Sequence, residues 1–285
     1  MQAGVSSSIG LVLGAMALIS LCEAFAPLHL RGREGRAHLV PNLALTALTL
    51  ALNAALVIPL EWLGRAGGGL LPALPLSAIE RTGLAVVALD LAVYSSHVAL
   101  HRIPWLWRFH AVHHSDAMVD VSTTLRMHPA ESLWRTAFAL PVALGLGIDP
   151  ASFAAYRLLS ALCGLLEHAN LRVPHRLDRV LSSVTTWPSL HKIHHSREIA
   201  WTDSNYGNLL SFWDRLFGSF TPLQPGMRVR YGLSGFEDAG AQTLVGLLAL
   251  PFRKTRSSLR EASSACTSSI FPSPSSSTRS TERGA

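Results

Sequence analysis

The chain has 285 residues, of which 49% are hydrophobic and only 15% are charged, and its mean hydropathy is +0.29. This composition is too apolar for an ordinary soluble domain and is typical of a polytopic membrane protein. The net charge of +6 is spread over the ends of apolar segments and the C-terminal tail, so the sequence gives no reason to expect nucleic acid as a partner.

Three apolar runs are long enough to cross a bilayer. They cover residues 9–30, 39–60 and 82–100. A further apolar stretch is interrupted between Gly147 and Pro150, which predicts a turn between two helices. We expect these two helices over about 134–147 and 151–166, as a hairpin.

The helices of the predicted hairpin are short for membrane spans, and each contains an arginine, Arg135 or Arg157. They therefore either cross the bilayer or lie embedded in it without crossing fully. Together with the three longer runs, they predict an all-α integral membrane protein. It has about four to five transmembrane or membrane-embedded helices.

Positive charge predicts the orientation of these helices. Arg31, Arg33 and Arg36 lie between the first two runs, and no Lys or Arg precedes the first run. Because cytoplasmic loops are rich in Lys and Arg, we expect this loop in the cytoplasm and the N-terminus outside. The third run then ends in the cytoplasm, and the hairpin leaves that side and returns to it. The C-terminus is expected in the cytoplasm as well.

The cytoplasmic side is also where the histidines are predicted to lie. Eleven of the thirteen histidines fall between His97 and His195, mostly in sets with helical spacing. The sets are His97-x3-His101, His110-x2-His113-His114 and His191-x2-His194-His195, with His128 and His168 standing alone. Since residues three and four apart share a helix face, each set can direct two or three imidazoles at one point. The sequence thus predicts a cytoplasmic histidine-rich helical cap.

Imidazole is the commonest protein ligand for transition metals, and it suits Fe, Cu, Ni and Zn alike. A structural zinc site needs four ligands, so nine histidines indicate two metal ions with four or five imidazoles each. The predicted ligands are His97, His101, His110, His113, His114, His168, His191, His194 and His195.

Four other polar residues near the sets are either ligands or partners that orient the ligands. A ligating imidazole usually donates its second N–H to a carboxylate, an amide or a carbonyl. The four residues are His128, Asn170, Asp203 and Asn205. For His128, which belongs to no set, an orienting or structural role is favoured over direct ligation.

The residues around the histidines resemble the fatty acid hydroxylase / sterol desaturase superfamily. The resemblance is carried by a series of motifs in a fixed order. They are Asp90-x3-Tyr94-x2-His97-x3-His101-Arg102, Trp105-x-Trp107-Arg108-x-His110-x2-His113-His114-Ser115, Arg126-x-His128-Pro129-x-Glu131, Glu167-His168-x-Asn170, His191-x2-His194-His195, Asp203-x-Asn205-Tyr206-Gly207 and Trp213-Asp214-Arg215-Leu216-Phe217-Gly218.

The resemblance implies a membrane-bound di-iron oxygenase that uses O2 and two electrons to hydroxylate or desaturate a lipid. It favours two iron ions as the metals, with O2 as co-substrate. The substrate classes it leaves open are sterol-like, fatty-acyl, sphingoid and carotenoid lipids. The sequence has no recognisable haem or flavin motif, so the electrons are expected from a partner reductase, ferredoxin or cytochrome.

The resemblance also divides the chain. We expect an N-terminal transmembrane region over 1–83 and a hydroxylase-like catalytic domain over 84–232. A C-terminal apolar segment follows over 233–252, and a Ser-rich tail that is predicted to be disordered covers 253–285.

A second class of function remains open, a non-enzymatic membrane metal-binding protein or a divalent-cation transporter. Transporters place their ligands near the bilayer midplane and often use carboxylates. Here the predicted ligands are histidines at helix ends on one side, which favours the oxygenase.

Overall fold

The computed structural model describes residues 2–30, 37–64, 68–222, 229–236 and 238–253. The helices are α1 (Gln2–Phe25), α2 (Leu39–Gly64), α3 (Leu70–Ala73), α4 (Ala78–Arg102), α5 (Pro104–His114), α6 (Pro129–Leu146), α7 (Pro150–His168), α8 (His175–Ser182), α9 (Pro188–His194), α10 (Ile199–Thr202), α11 (Phe212–Leu216) and α12 (Leu244–Ala249). Short 3₁₀ helices cover Val121–Thr123 and Leu250–Phe252. Within the described residues there is no β-strand, and the all-α prediction is confirmed.

Three of the described helices are long and apolar enough to cross a bilayer, as the sequence predicts. The spans are Ser6–Phe25 in α1, Leu39–Leu56 in α2 and Ala78–Arg102 in α4. Their outer faces expose large apolar side chains, such as Leu18, Val40 and Ile79. Contact with lipid tails removes the cost that such a surface carries in water. The described chain is therefore an integral membrane protein.

α1 ends at Phe25, earlier than the predicted boundary at residue 30. Pro27 lacks the N–H that would continue the helix, and it forms an isolated bridge with Leu171 instead. α4 begins at Ala78, earlier than predicted, because Ser77 and Glu80 form a reciprocal capping box at its N-terminus.

The predicted hairpin is present as α6 and α7, and both helices are longer than predicted. α6 begins at Pro129, where the proline suits the first helical turn. It ends at Leu146, and the next residue, Gly147, caps the helix with a φ of 65°, in the left-handed region. The carboxylate of Asp149 then caps α7 by accepting the amide N–H groups of Ala151 and Ser152, each at 3.0 Å.

α4 is the central helix of the bundle and packs against both α6 and α7. Their shared core contains Leu89 of α4, Ala139 of α6 and Tyr156 of α7. α2 packs on α6, and α1 packs on α7. This arrangement brings the C-terminal ends of α4 and α7 and the N-terminal end of α6 to one end of the bundle. The site lies there.

Parts of the predicted topology lie outside the described residues. The basic cluster of Arg31, Arg33 and Arg36 is one such part. The predicted tail is another, because the last of the described residues is Arg253.

Candidate metal centre

Nine histidines meet at the end of the bundle where α4 and α7 finish. Eight of these residues are buried, and the side chain of the ninth, His101, is 0% exposed. They form two groups, within each of which one nitrogen per residue lies within 4.8 Å of the others. Cluster A consists of His97, His101, His110, His114 and His194, and cluster B consists of His113, His168, His191 and His195. All nine predicted ligands are thus brought together.

Each set of three histidines divides between the two clusters instead of converging on one point. On α5, His110 and His114 belong to cluster A, whereas His113 belongs to cluster B. Residues four apart lie nearly in line on a helix, while the residue between them projects to a neighbouring direction. At α9 the division is reversed, because His191 and His195 belong to cluster B and His194 belongs to cluster A. As a result the clusters are adjacent, and the rings of His114 and His195 stack with centroids 4.5 Å apart.

In cluster B, the Nε2 atom of His168 is the common neighbour. It lies 3.0 Å from Nε2 of His113, 3.0 Å from Nε2 of His191 and 3.1 Å from Nε2 of His195. Nδ1 of His168 donates to the carbonyl of Gly164 at 2.7 Å, so its Nε2 offers a lone pair. Nitrogens bound to one ion at 2.0–2.1 Å lie about 2.9–3.4 Å apart, so these distances fit a shared metal ion.

In cluster A, Nε2 of His110 lies 3.1 Å from Nε2 of His97 and 3.2 Å from Nε2 of His114. The Nε2 atoms of His101 and His194 are buried and have no hydrogen-bond partner within the described part of the chain. A buried polar atom without a partner is costly. A metal ion bound here would supply the partner that these nitrogens lack, so the residues fit a second ion.

Two backbone carbonyls of one loop fix the rings of His97 and His194. Nδ1 of His97 donates to the carbonyl of Tyr206 at 2.9 Å, and Nδ1 of His194 donates to that of Ser204 at 2.8 Å. Asn205 lies between them with a φ of 53°, a left-handed conformation that Asn tolerates better than most residues. Asn205 therefore shapes the loop, and its own side chain binds backbone groups away from the histidines.

Two carboxylates lie beside Nδ1 atoms of cluster A. Oε2 of Glu131 is 3.1 Å from Nδ1 of His110, and Oδ1 of Asp203 is 3.4 Å from Nδ1 of His101. Glu131 is completely buried, and its other oxygen binds the guanidinium of Arg135 at 2.9 Å. Carboxylates in this position orient ligating imidazoles and raise their basicity.

A third carboxylate, Glu167, lies beside cluster B. Its Oε1 is 3.8 Å from Nδ1 of His168 and 3.9 Å from Nε2 of His191, too far for a hydrogen bond to either. Its Oε2 is buried and has no hydrogen-bond partner in the described residues. Glu167 is thus a buried carboxylate beside cluster B with one oxygen that has no partner among the described residues.

The histidines on α5 and at α9 are held in their neutral form. Burial, followed by repulsion from His168, lowers the pKa of His113 to about 3. Burial also lowers the pKa well below its usual range in the other five of these residues, His110, His114, His191, His194 and His195. Neutral imidazole is the form that binds metals, so the environment favours ligation at neutral pH.

The remaining two of the four predicted orienting residues do not reach the clusters. His128 is the N-cap of α6, where its Nδ1 accepts the amide N–H of Ala130 at 3.1 Å. Asn170 is paired with His29, and each of the two hydrogen bonds between them measures 3.0 Å. Of the four, Asp203 alone contacts a clustered histidine.

The sequence reasoning missed Glu131 and the two carbonyl groups as orienting partners. Glu131 stands in the motif Arg126-x-His128-Pro129-x-Glu131, which offered a signal for it. Backbone carbonyls leave no signal in a sequence. The sequence reasoning also missed Lys192, whose buried ammonium donates to the carbonyls of Val119 at 2.9 Å and His168 at 3.0 Å.

A cavity of about 210 Å³ lies between α4, α6 and α7 and reaches both clusters. His97 of cluster A and His113, His168 and His191 of cluster B form part of its wall. A small molecule in this cavity can therefore contact the histidine centre from within the bundle.

Comparison with known proteins places these features in a family context. Residues 82–219 match the family model for fatty acid hydroxylase. An ornithine lipid hydroxylase of Rhizobium tropici is 34% identical over 174 residues, which is 60% of this chain and 50% of that protein. An alkylglycerol monooxygenase of Danio rerio is 34% identical over 152 residues, 53% of this chain and 32% of that protein.

A cholesterol 25-hydroxylase of Rattus norvegicus is 24% identical over 168 residues, 58% of this chain and 54% of that protein. The chain thus spans from a third to about half of the length of these relatives. No solved structure matches it. The matched segment, 82–219, contains both histidine clusters, and over this segment the chain is similar to the fatty acid hydroxylase family.

Proposed function

We propose that this chain is a membrane-bound di-iron oxygenase that hydroxylates a lipid. The observation that carries the proposal is the pair of adjacent histidine clusters, with five and four imidazoles, inside an apolar helix bundle. When bound, two irons would supply the redox chemistry that reduces O2 and oxidises an unactivated C–H bond. Nitrogen donors alone do not select iron, and the family supports that choice.

The protein's own residues hold and isolate this centre. The nine histidines are the proposed ligands, with Glu131 and Asp203 orienting rings of cluster A. The two loop carbonyls, of Ser204 and Tyr206, hold the rings of His194 and His97. The cavity between the helices admits the lipid, and burial keeps bulk water from the clusters.

Hydroxylation and desaturation begin with the same hydrogen abstraction, so the ligand set does not separate them. The names of the relatives favour hydroxylation, since each of the three is called a hydroxylase or a monooxygenase. Their names also support a lipid as the substrate. An external electron donor, a reductase, a ferredoxin or a cytochrome, completes the proposed reaction.

A divalent-cation transporter is less well supported by the geometry. The clusters lie at the ends of α4 and α7, away from the middle of the bundle, and they contain only imidazole ligands. Transporters instead place their sites near the midplane. No observation on the described residues favours a transport path.

We further propose that the histidine end of the bundle faces the cytoplasm and the N-terminus lies outside. The experiment is labelling of single cysteines with a membrane-impermeant maleimide in intact cells, after the native cysteines are replaced by serine. Ala73→Cys, at the far end of the bundle, is expected to react from outside. Glu198→Cys, near the clusters, is expected to react only after permeabilisation, and the reverse pattern rules out this orientation.

The activity is tested by supplying the purified, iron-loaded full chain with O2, a chemical or enzymatic electron donor and an extract of membrane lipids. The expected result is electron-dependent O2 consumption together with a lipid that gains one oxygen atom, seen as a mass increase when ¹⁸O2 is used. A fully loaded chain that consumes no O2 with any donor contradicts the proposal.

A further inference from the structure

Arg157 lines the cavity that leads to the histidine clusters. It lies on α7, eleven residues before His168 (168 − 157), which corresponds to roughly 16 Å along the helix axis. Residues from Arg157 to His168 on one face of α7 line the cavity, including Ala161 and Gly164. The cavity therefore extends along this helix from the arginine to the metal centre.

The guanidinium of Arg157 has no acidic partner within the described residues. The other arginine of the cavity, Arg135, is neutralised by Glu131 at 2.9 Å. An unpaired charge within a membrane-embedded helix is expensive, and such residues usually mark a binding site or a path. The positive charge of Arg157 thus remains available to a ligand.

The rest of the cavity wall fits an amphiphile. Apolar side chains such as Met127, Ala139 and Phe153 line it, and Glu167 lies at its histidine end. The small polar residues of the wall are Asn53, Thr124, Ser132, Thr136, Ser160 and Asn208. At about 210 Å³ the cavity is smaller than most sites that enclose a whole small molecule. It can hold one part of a lipid while the remainder extends between the helices.

We propose that Arg157 binds the oxyanion, carboxylate or phosphate, of the lipid substrate, and so holds the carbon to be oxidised at the histidine clusters. This inference rests on the proposed function. A guanidinium presents two parallel N–H groups that match the oxygens of either anion. The spacing along α7 implies that the oxidised carbon is remote from the acidic group.

The test is equilibrium binding to the full chain, as purified in detergent, at pH 8. The probes are hexadecanoic acid, hexadecyl phosphate and uncharged methyl hexadecanoate, each competing with a radiolabelled fatty acid. The wild-type chain is expected to bind at least one of the anions ten-fold or more tightly than the ester. Preference for the phosphate indicates a phospholipid, and preference for the carboxylate indicates a free acid.

Arg157→Gln is expected to remove this preference, and Arg157→Lys to retain part of it because the charge remains. Arg176→Gln is the matched control, since Arg176 is exposed on α8 outside the cavity. Thermal unfolding identifies a variant that fails to fold, and removal of an unpaired, partly buried charge is expected to leave the unfolding temperature unchanged or higher.

An equal affinity of the wild-type chain for the anions and the ester overturns the inference. So does an unchanged preference in a folded Arg157→Gln variant. Since binding is measured without turnover, the preference persists even if the oxygenase assay fails. Conversely, lipid oxidation by a chain with no anion preference refutes this inference and leaves the proposed function intact.

Discussion

At the scale of residues, the positions of ring nitrogens are set by groups that are not themselves ligands. The Nδ1 atoms of His97, His168 and His194 donate to backbone carbonyls at 2.7–2.9 Å. A proton fixed on Nδ1 leaves the lone pair of Nε2 to face the cluster. The surroundings therefore fix the tautomer before any metal binds.

Glu131→Gln tests this view, because it removes the buried negative charge beside His110 and Arg135. We expect metal affinity at cluster A to fall about 10–100-fold, with cluster B much less affected. Competition with a chelator of known affinity measures the change. Glu198→Gln is the control, since it makes the same substitution at an exposed position. If Glu131→Gln leaves the metal affinity of both clusters unchanged, the expectation is contradicted.

His38 gives a prediction about pH. Although burial opposes its charged form, hydrogen bonds with Asp116 and Asp120 raise the pKa of His38 to about 9. Its usual pKa in an unfolded chain is about 6.5, so its stabilising contribution is complete below that pH and is lost as pH rises through 9. The difference in unfolding temperature between wild type and His38→Gln is expected to shrink from pH 6.5 to pH 9.5.

His175→Gln, on the exposed face of α8, is the control for that comparison. A difference that stays constant over this range of pH shows that the charge of His38 does not stabilise the fold.

The sequence reasoning selected the same nine histidines that cluster in the structure, because their spacing is a local property of helices. Glu131 stands in a sequence motif, but its partner His110 is 21 residues away (131 − 110) and on another helix, so spacing did not show which ring it lies beside. The roles of Asn170 and His128 were also beyond reach, because a capping residue and an orienting residue look alike in sequence.

At the scale of elements, helix geometry explains how two histidine clusters arise from a repeated pattern. Residues four apart on α5 serve one cluster, and the neighbouring histidine serves the other. The set at α9 mirrors this arrangement. The sequence revealed the pattern, but the angle between α5 and α9 that sorts the nitrogens depends on tertiary packing, which spacing does not encode.

The turn between α6 and α7 joins two helices that line the cavity. Gly147 has a φ of 65°, and an added Cβ would meet the carbonyl of Gly68 and, at 3.0 Å, Cδ of Pro72. We expect Gly147→Ala to destabilise the protein by at least about 1 kcal/mol, since both the conformation and the space oppose a side chain. Thermal unfolding in detergent measures the change.

Gly145→Ala is the control two residues earlier, within α6. A Cβ at Gly145 would meet nothing within 4 Å, so the substitution is expected to be neutral or to stabilise by up to about 1 kcal/mol. If the two substitutions change the stability equally, then neither the φ of Gly147 nor the space around it opposes a side chain.

At the scale of the whole molecule, the bundle brings to one end the histidines that the sequence distributes over about 100 residues. Three candidate membrane spans and the hairpin were predicted from hydropathy and from Gly and Pro positions, and their ends shifted with local capping. The sequence analysis placed all nine histidines on one side of the membrane because successive helices run in opposite directions across it. The two-centre arrangement became evident only with the packed helices.

The central claim is that each cluster binds one iron, and the iron content of the purified full chain tests it most directly. After anaerobic loading with Fe(II) and removal of free metal, we expect two irons per chain. His101→Ala/His194→Ala in cluster A and His168→Ala/His191→Ala in cluster B are each expected to lose one iron, and His128→Ala to keep both. A folded wild-type chain that holds one ion or none contradicts the claim.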